Sequence, residues 1–116
     1  MKIHYRNSKL KKLAEDIPEL KKKYWDQADK IIRVINMLEQ IEKISDIPKW
    51  QSFRPHLLSG NTSDKLFSTD LKHPYRLLFV PKCEYDKDDW ENTIKEIEIV
   101  EICIDTHDKK FRSSNY

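Results

Sequence analysis

The sequence predicts an α+β domain: an N-terminal helical hairpin packed on one face of a twisted antiparallel sheet of four to five strands. Three observations carry this. From Leu10 to Leu38 the apolar residues recur at helical spacing. From Phe53 onward the apolar period shortens to two. Between them, "SDIPKW" is a break, because the residue before Pro48 resists the α region. A chain of 116 residues suits one domain, spanning 1–116, with one core.

The elements follow in order. "KIHYR" alternates Ile3 and Tyr5 and reads as a short first strand. Ser8 is a candidate N-cap for a helix carrying Leu10, Leu13, Ala14 and Ile17 on one side. Pro18 ends that helix or opens the next. "ELKKKYWDQADKIIRVINMLEQIEKI" holds neither Gly nor Pro and reads as one long helix, its stripe formed by Tyr24, Ala28, Ile31, Ile35 and Leu38. "FRPHLLSG", "KLFSTDLKH", "YRLLFVPK" and "IKEIEIVEICID" read as four strands. Gly60, the only glycine, lies in "SGNTSDK", a hairpin-turn composition, and His73-Pro74 marks a second turn. "CEYDKDDWEN" is an acidic connection.

Within the sheet, Phe67, Thr69 and Leu71 are expected to face the helices, leaving Ser68, Asp70 and Lys72 on an open face. In the last strand Ile97 and Ile99 are out of phase with Val100, Ile102 and Ile104. A bulge near Ile99–Val100 reconciles them. Trp50 and Trp90 flank turns and, with Trp25, are expected to cover core edges.

Composition bounds the function. The chain is 36% charged, with a mean hydropathy of -0.81, and no apolar run approaches a membrane span. "MKIHYRNSKLKK" lacks the apolar core of a secretory signal, and Cys83 and Cys103 have no CxxC spacing. The expectation is therefore a reduced, cytoplasmic protein with no zinc site. Net charge is +2, split into +5 over residues 1–60 and -3 over residues 61–116. That asymmetry is mild; by itself it describes a solvated surface rather than a nucleic-acid site. One glycine excludes a phosphate-binding glycine loop, and no GxSxG supports a serine nucleophile.

"DLKHPYRLLFVPK" poses the functional question, since an apolar strand opens with Lys72, His73 and Arg76. His56 lies in "FRPHLLSG", two residues after Arg54, and His107 follows Asp105 in "IDTHD". If these strands are neighbours, two imidazoles, a carboxylate and a guanidinium converge. That set suits RNA cleavage by the neighbouring 2'-OH. The reaction needs a base for the hydroxyl, an acid for the leaving 5'-oxygen and a cation against the phosphorane. Asp105 can orient His107. The bland alternatives are a hydrogen-bonded strand histidine, an ordinary Arg76 ion pair, a turn role for His73 and no role for His4.

The order of helical hairpin, "HLLSGN", "LFSTDLKHPYRLLFVP" and an isoleucine-rich strand ending "IDTHD" resembles the RelE/ParE superfamily of bacterial type II toxins, and most closely its HigB-like plasmid-maintenance killer-protein branch. The resemblance spans nearly the whole chain. It implies an mRNA endoribonuclease acting in the ribosomal A site, needing no cofactor or metal. A cognate helix-turn-helix, HigA-like antitoxin would neutralise it, with promoter DNA bound only through that complex and no membrane partner. Residue by residue, it implies catalytic roles for His56, Arg76, Asp105 and His107. Arg54, Lys72, Lys109 and Lys110 are the expected RNA-binding cations. Thr106, Ser59 and Asp70 depart from the branch, which often has tyrosine, lysine and a basic residue there. Two other functions stay open. One is a ParE-like toxin that inhibits DNA gyrase by binding. The other is a module acting only within an antitoxin complex.

Overall fold

The computed structural model describes residues 1–58, 66–112 and 116. It is an α+β fold, a helical layer packed on a five-stranded sheet. The strands are β1 (Lys2–Tyr5), β2 (His56–Leu57), β3 (Phe67–Asp70), β4 (Tyr75–Pro81) and β5 (Glu96–Asp105), in the order β1-β5-β4-β3-β2. The expected all-antiparallel sheet is corrected at one edge. β1 runs parallel to β5, pairing Ile3 with Ile97 and Tyr5 with Ile99. The helical layer separates β1 from the other strands in sequence, so β1 returns to the sheet by a crossover and need not follow hairpin direction. The other three pairings are antiparallel. Of the expected strand at 53–60, the described residues 53–58 hold the two-residue β2, and residues 59–60 with the glycine turn lie outside the described residues.

Among the described residues the helical layer has three helices rather than two: α1 (Ser8–Glu15), α2 (Ile17–Tyr24) and α3 (Ala28–Gln40). Asn7, not Ser8, caps α1, its side-chain oxygen accepting from the Leu10 N–H at 2.8 Å. Asp16 caps α2 by accepting from the Glu19 N–H at 3.1 Å, and Pro18 sits in the first turn, where its missing N–H costs nothing. The long helix read from sequence breaks at a 3-10 turn, Trp25–Gln27. The cause is tertiary. Gln27 is 6% exposed, and its side-chain amide donates to the Lys72 carbonyl at 3.0 Å and accepts from the Lys72 N–H at 2.9 Å. That pair of bonds pins the helical layer to the turn between β3 and β4.

Leu20, Ala28, Ile31, Val34, Ile35 and Leu38 meet Phe67, Leu71, Leu77, Phe79, Ile97, Ile99 and Ile102 in the main core. Phe67 stacks on Phe79 at 5.6 Å. After β4 the acidic connection forms a one-turn helix, α4 (Trp90–Thr93), and Trp90 packs on Phe67 at 5.0 Å, as a core-edge residue should. Trp25 and Trp50 do not; they are 82% and 79% exposed.

The register of β5 against β4 slips at Val100, where the bulge was expected, and again between Ile104 and Glu101. The second slip corrects the face assignment. Ile102 joins Ile97 and Ile99 in the main core, while Val100 and Ile104 lie on the other face. That face is not open at its centre. Leu66, Leu78, Val80 and Val100 form a second cluster there, packed by Leu58, Phe111 and Tyr116. Ser68 is likewise buried, and Glu101 accepts a hydrogen bond from the Tyr116 hydroxyl at 3.0 Å. The helices are all too short or too polar to cross a membrane among the described residues.

Candidate functional site

The antiparallel pairings bring β2, the end of β3, the start of β4 and the end of β5 to one corner of the sheet. Asp70 pairs with Arg76, Arg76 with Ile104, Tyr75 with Asp105 and His56 with Ser68. His56, Ser68, Asp70 and Arg76 then share the face opposite the helices.

These four side chains are linked with one another and with Arg54. Arg54 Nε donates to Asp70 Oδ2 at 2.6 Å. Arg76 Nε lies 3.9 Å from Asp70 Oδ1, with its side chain 20% exposed. Arg76 Nη1 approaches His56 Nε2 at 3.4 Å, and Ser68 Oγ stands 3.4 Å from the same nitrogen. His56 Nδ1 is 2.6 Å from the Arg54 carbonyl oxygen. These partners select a tautomer. A carbonyl can only accept, so Nδ1 carries the proton. A guanidinium can only donate, so Nε2 presents its lone pair. His56 thus turns its Nε2 toward the Arg76 guanidinium.

Arg54 is placed by strain as well as by charge. Its φ of 40° is in the left-handed region, which costs a non-glycine residue about 1–2 kcal/mol. The neighbouring Phe53 is 2% exposed, and its carbonyl accepts from the Asp70 N–H at 2.6 Å. Those contacts hold the bend that turns the guanidinium toward Asp70.

Asp105 and His107 sit at the same corner. Asp105 Oδ1 accepts from the His107 backbone N–H at 2.9 Å, so it fixes the turn beyond β5 rather than the ring. The His107 ring is exposed, and its ring neighbour is His73 at 6.2 Å. Among the described residues no hydrogen bond joins His107 to His56 or Arg76. The structure therefore ties His56, Arg76 and Arg54 into one network through Asp70 and leaves the His107 ring in solvent. A pocket of about 340 Å³ opens beside it, lined by Tyr75, Asp105, Asp108 and Lys110 among others.

The remaining expected cations are exposed. Lys72 lies in the turn before β4; Lys109 and Lys110 follow His107. Lys30, which the sequence reading did not single out, joins them. Its ammonium donates to the Ser52 carbonyl at 3.5 Å. Partial burial, with Arg33 and Lys72 close by, pulls it below the ordinary lysine range, and Asp70 opposes that. Two contributors were missed. Ser68 gives no signal in sequence beyond strand alternation. Asp70 was read as a departure, yet it bridges both arginines; its signal was an acid and a base of opposite charge flanking the "LKHPY" turn.

No protein-family model matches the chain, no curated protein matches it, and no solved structure matches it.

Proposed function

We propose that the chain is a RelE/ParE-like toxin of the HigB-like branch, acting in the cytoplasm as a ribosome-dependent mRNA endoribonuclease. The observation that carries the reading is the Arg76–His56 contact, a guanidinium 3.4 Å from the imidazole nitrogen that bears the lone pair.

His56 Nε2 removes the proton from a ribose 2'-OH. The 2'-oxygen attacks the adjoining phosphorus, and the bond to the 5'-oxygen breaks. Protonated His107 gives its proton to that oxygen. The products are a 2',3'-cyclic phosphate and a 5'-hydroxyl. Arg76 stabilises the phosphorane, and Arg54 and Lys72 hold the flanking backbone, with Lys109 and Lys110 on the His107 side. Asp105 is a positioning residue through the His107 backbone. The exposed ring of His107 must close on the leaving group when RNA binds. Because Phe111 and Tyr116 cover the centre of the sheet face, the message runs past the corner rather than across the sheet. The cognate partner is a HigA-like helix-turn-helix antitoxin, and promoter DNA is reached only through it.

The test is cleavage of a defined mRNA with and without programmed ribosomes, comparing wild type with His107→Ala. Ribosome-dependent cuts that vanish in the variant are expected. Growth arrest without any cut overturns the nuclease and points to a binding toxin, for which gyrase inhibition is then assayed.

A further inference from the structure

Trp50 is a side chain the corner does not explain. An indole 79% exposed in a small domain leaves a large apolar area in water. The loop from residue 47 to 55 connects directly to the corner. Ile47, Pro48, Lys49, Gln51, Arg54 and Pro55 wall a cleft of about 260 Å³. Arg54 belongs to both places, lining this cleft while its Nε holds Asp70 at 2.6 Å. Lys30 reaches the same loop at the Ser52 carbonyl, with Arg33 and Lys72 beside it. The loop that carries the ring thus also carries Lys49 and Arg54, and Lys30 donates to it. Of the nearby carboxylates, Asp70 is engaged by the arginines and Glu91 lies at the cleft wall.

We infer that the Lys49–Gln51 loop is a base-binding subsite for single-stranded RNA. One base stacks on Trp50, Lys49 and Arg54 take the adjoining phosphates, and the strand continues past Arg54 to His56 and Arg76. An aromatic ring with flanking cations is what an unpaired polynucleotide needs, since every base has a face to stack and every linkage a charge. The inference rests on the reading that this chain handles RNA.

The experiment uses a short fluorescein-labelled single-stranded oligoribonucleotide, 2'-O-methylated so that it binds without being cut. Trp50→Ala is expected to weaken binding roughly tenfold, and Trp50→Phe to restore most of it. RNA should quench the indole emission of wild type and of Trp25→Phe, and much less that of Trp50→Phe. Unchanged affinity in Trp50→Ala overturns the subsite, as does failure of the wild type to bind single-stranded RNA. Wild type that binds in this manner yet cuts no unmodified RNA on ribosomes sinks the nuclease and leaves the subsite standing. Wild type that cuts, with Trp50→Ala binding and cutting equally well, does the reverse.

Discussion

Asp70→Asn separates two effects that meet at the corner. The carboxylate holds Arg54 at 2.6 Å and Arg76 at 3.9 Å, and an asparagine keeps its shape without its charge. The Arg54 side chain is 69% exposed, so that pair contributes only about 0.2–1 kcal/mol. The longer Arg76 contact adds on the order of 1 kcal/mol at water-like screening. Stability should therefore fall by about 1 kcal/mol, a drop of a few degrees in Tm by thermal denaturation. RNA binding should move the other way. Asp70 competes with phosphate for both arginines, and its loss frees about one cationic charge. At roughly 1 kcal/mol, affinity for the 2'-O-methylated oligonucleotide should rise about fivefold at low salt. The plot of log affinity against log salt should steepen by about 0.7, the increment for one more phosphate contact on a single strand. Fluorescence anisotropy over a salt series reads both. Weaker binding at every salt, with an unchanged slope, would refute the competition and leave Asp70 as a residue that aims the arginines.

Two stability predictions need no assumption about function. Thr69 is 0% exposed and its hydroxyl is without a hydrogen-bond partner among the described residues, so Thr69→Val should raise unfolding free energy by about 1 kcal/mol in urea denaturation. Burial, then the charges of Glu39 and Glu15, push the Tyr5 phenol up to about 12, and burial, then Glu101, does the same for Tyr116. Raised folded-state values favour the neutral form. Their stabilisation is complete below the unfolded value near 10 and is lost as pH climbs from about 10 to about 12. Tyr5→Phe should flatten that loss in urea unfolding curves collected across the window, while equal losses in wild type and variant would contradict the assignment.

The kinds of element were legible because apolar spacing changes from helical to alternating at Pro48, and the first bulge was legible because Ile99 and Val100 are adjacent and both apolar. What failed was set at a distance. Nothing in "YWDQAD" breaks a helix; Gln27 does so by bonding to Lys72, far along the chain. The parallel direction of β1 and the second slip in β5 depend on pairing partners, which a single strand does not encode. Trp25 and Trp50 were expected at core edges from their places beside the helix stripe and a turn, but both stand in solvent. At the corner the chemistry-bearing residues His56, Arg54 and Arg76 could be picked from sequence. Their connection through Asp70 and Ser68 could not, because cross-strand register decides which side chains meet.

His56 is the residue on which the cleavage mechanism turns, and single-turnover cutting of ribosome-bound mRNA by His56→Ala tests it most directly. Removing the base should slow the cut by about a hundredfold to ten-thousandfold, with mRNA binding little changed. A rate within twofold of wild type would contradict the assignment of Nε2 as the base and with it the catalytic reading of the Arg76–His56 contact.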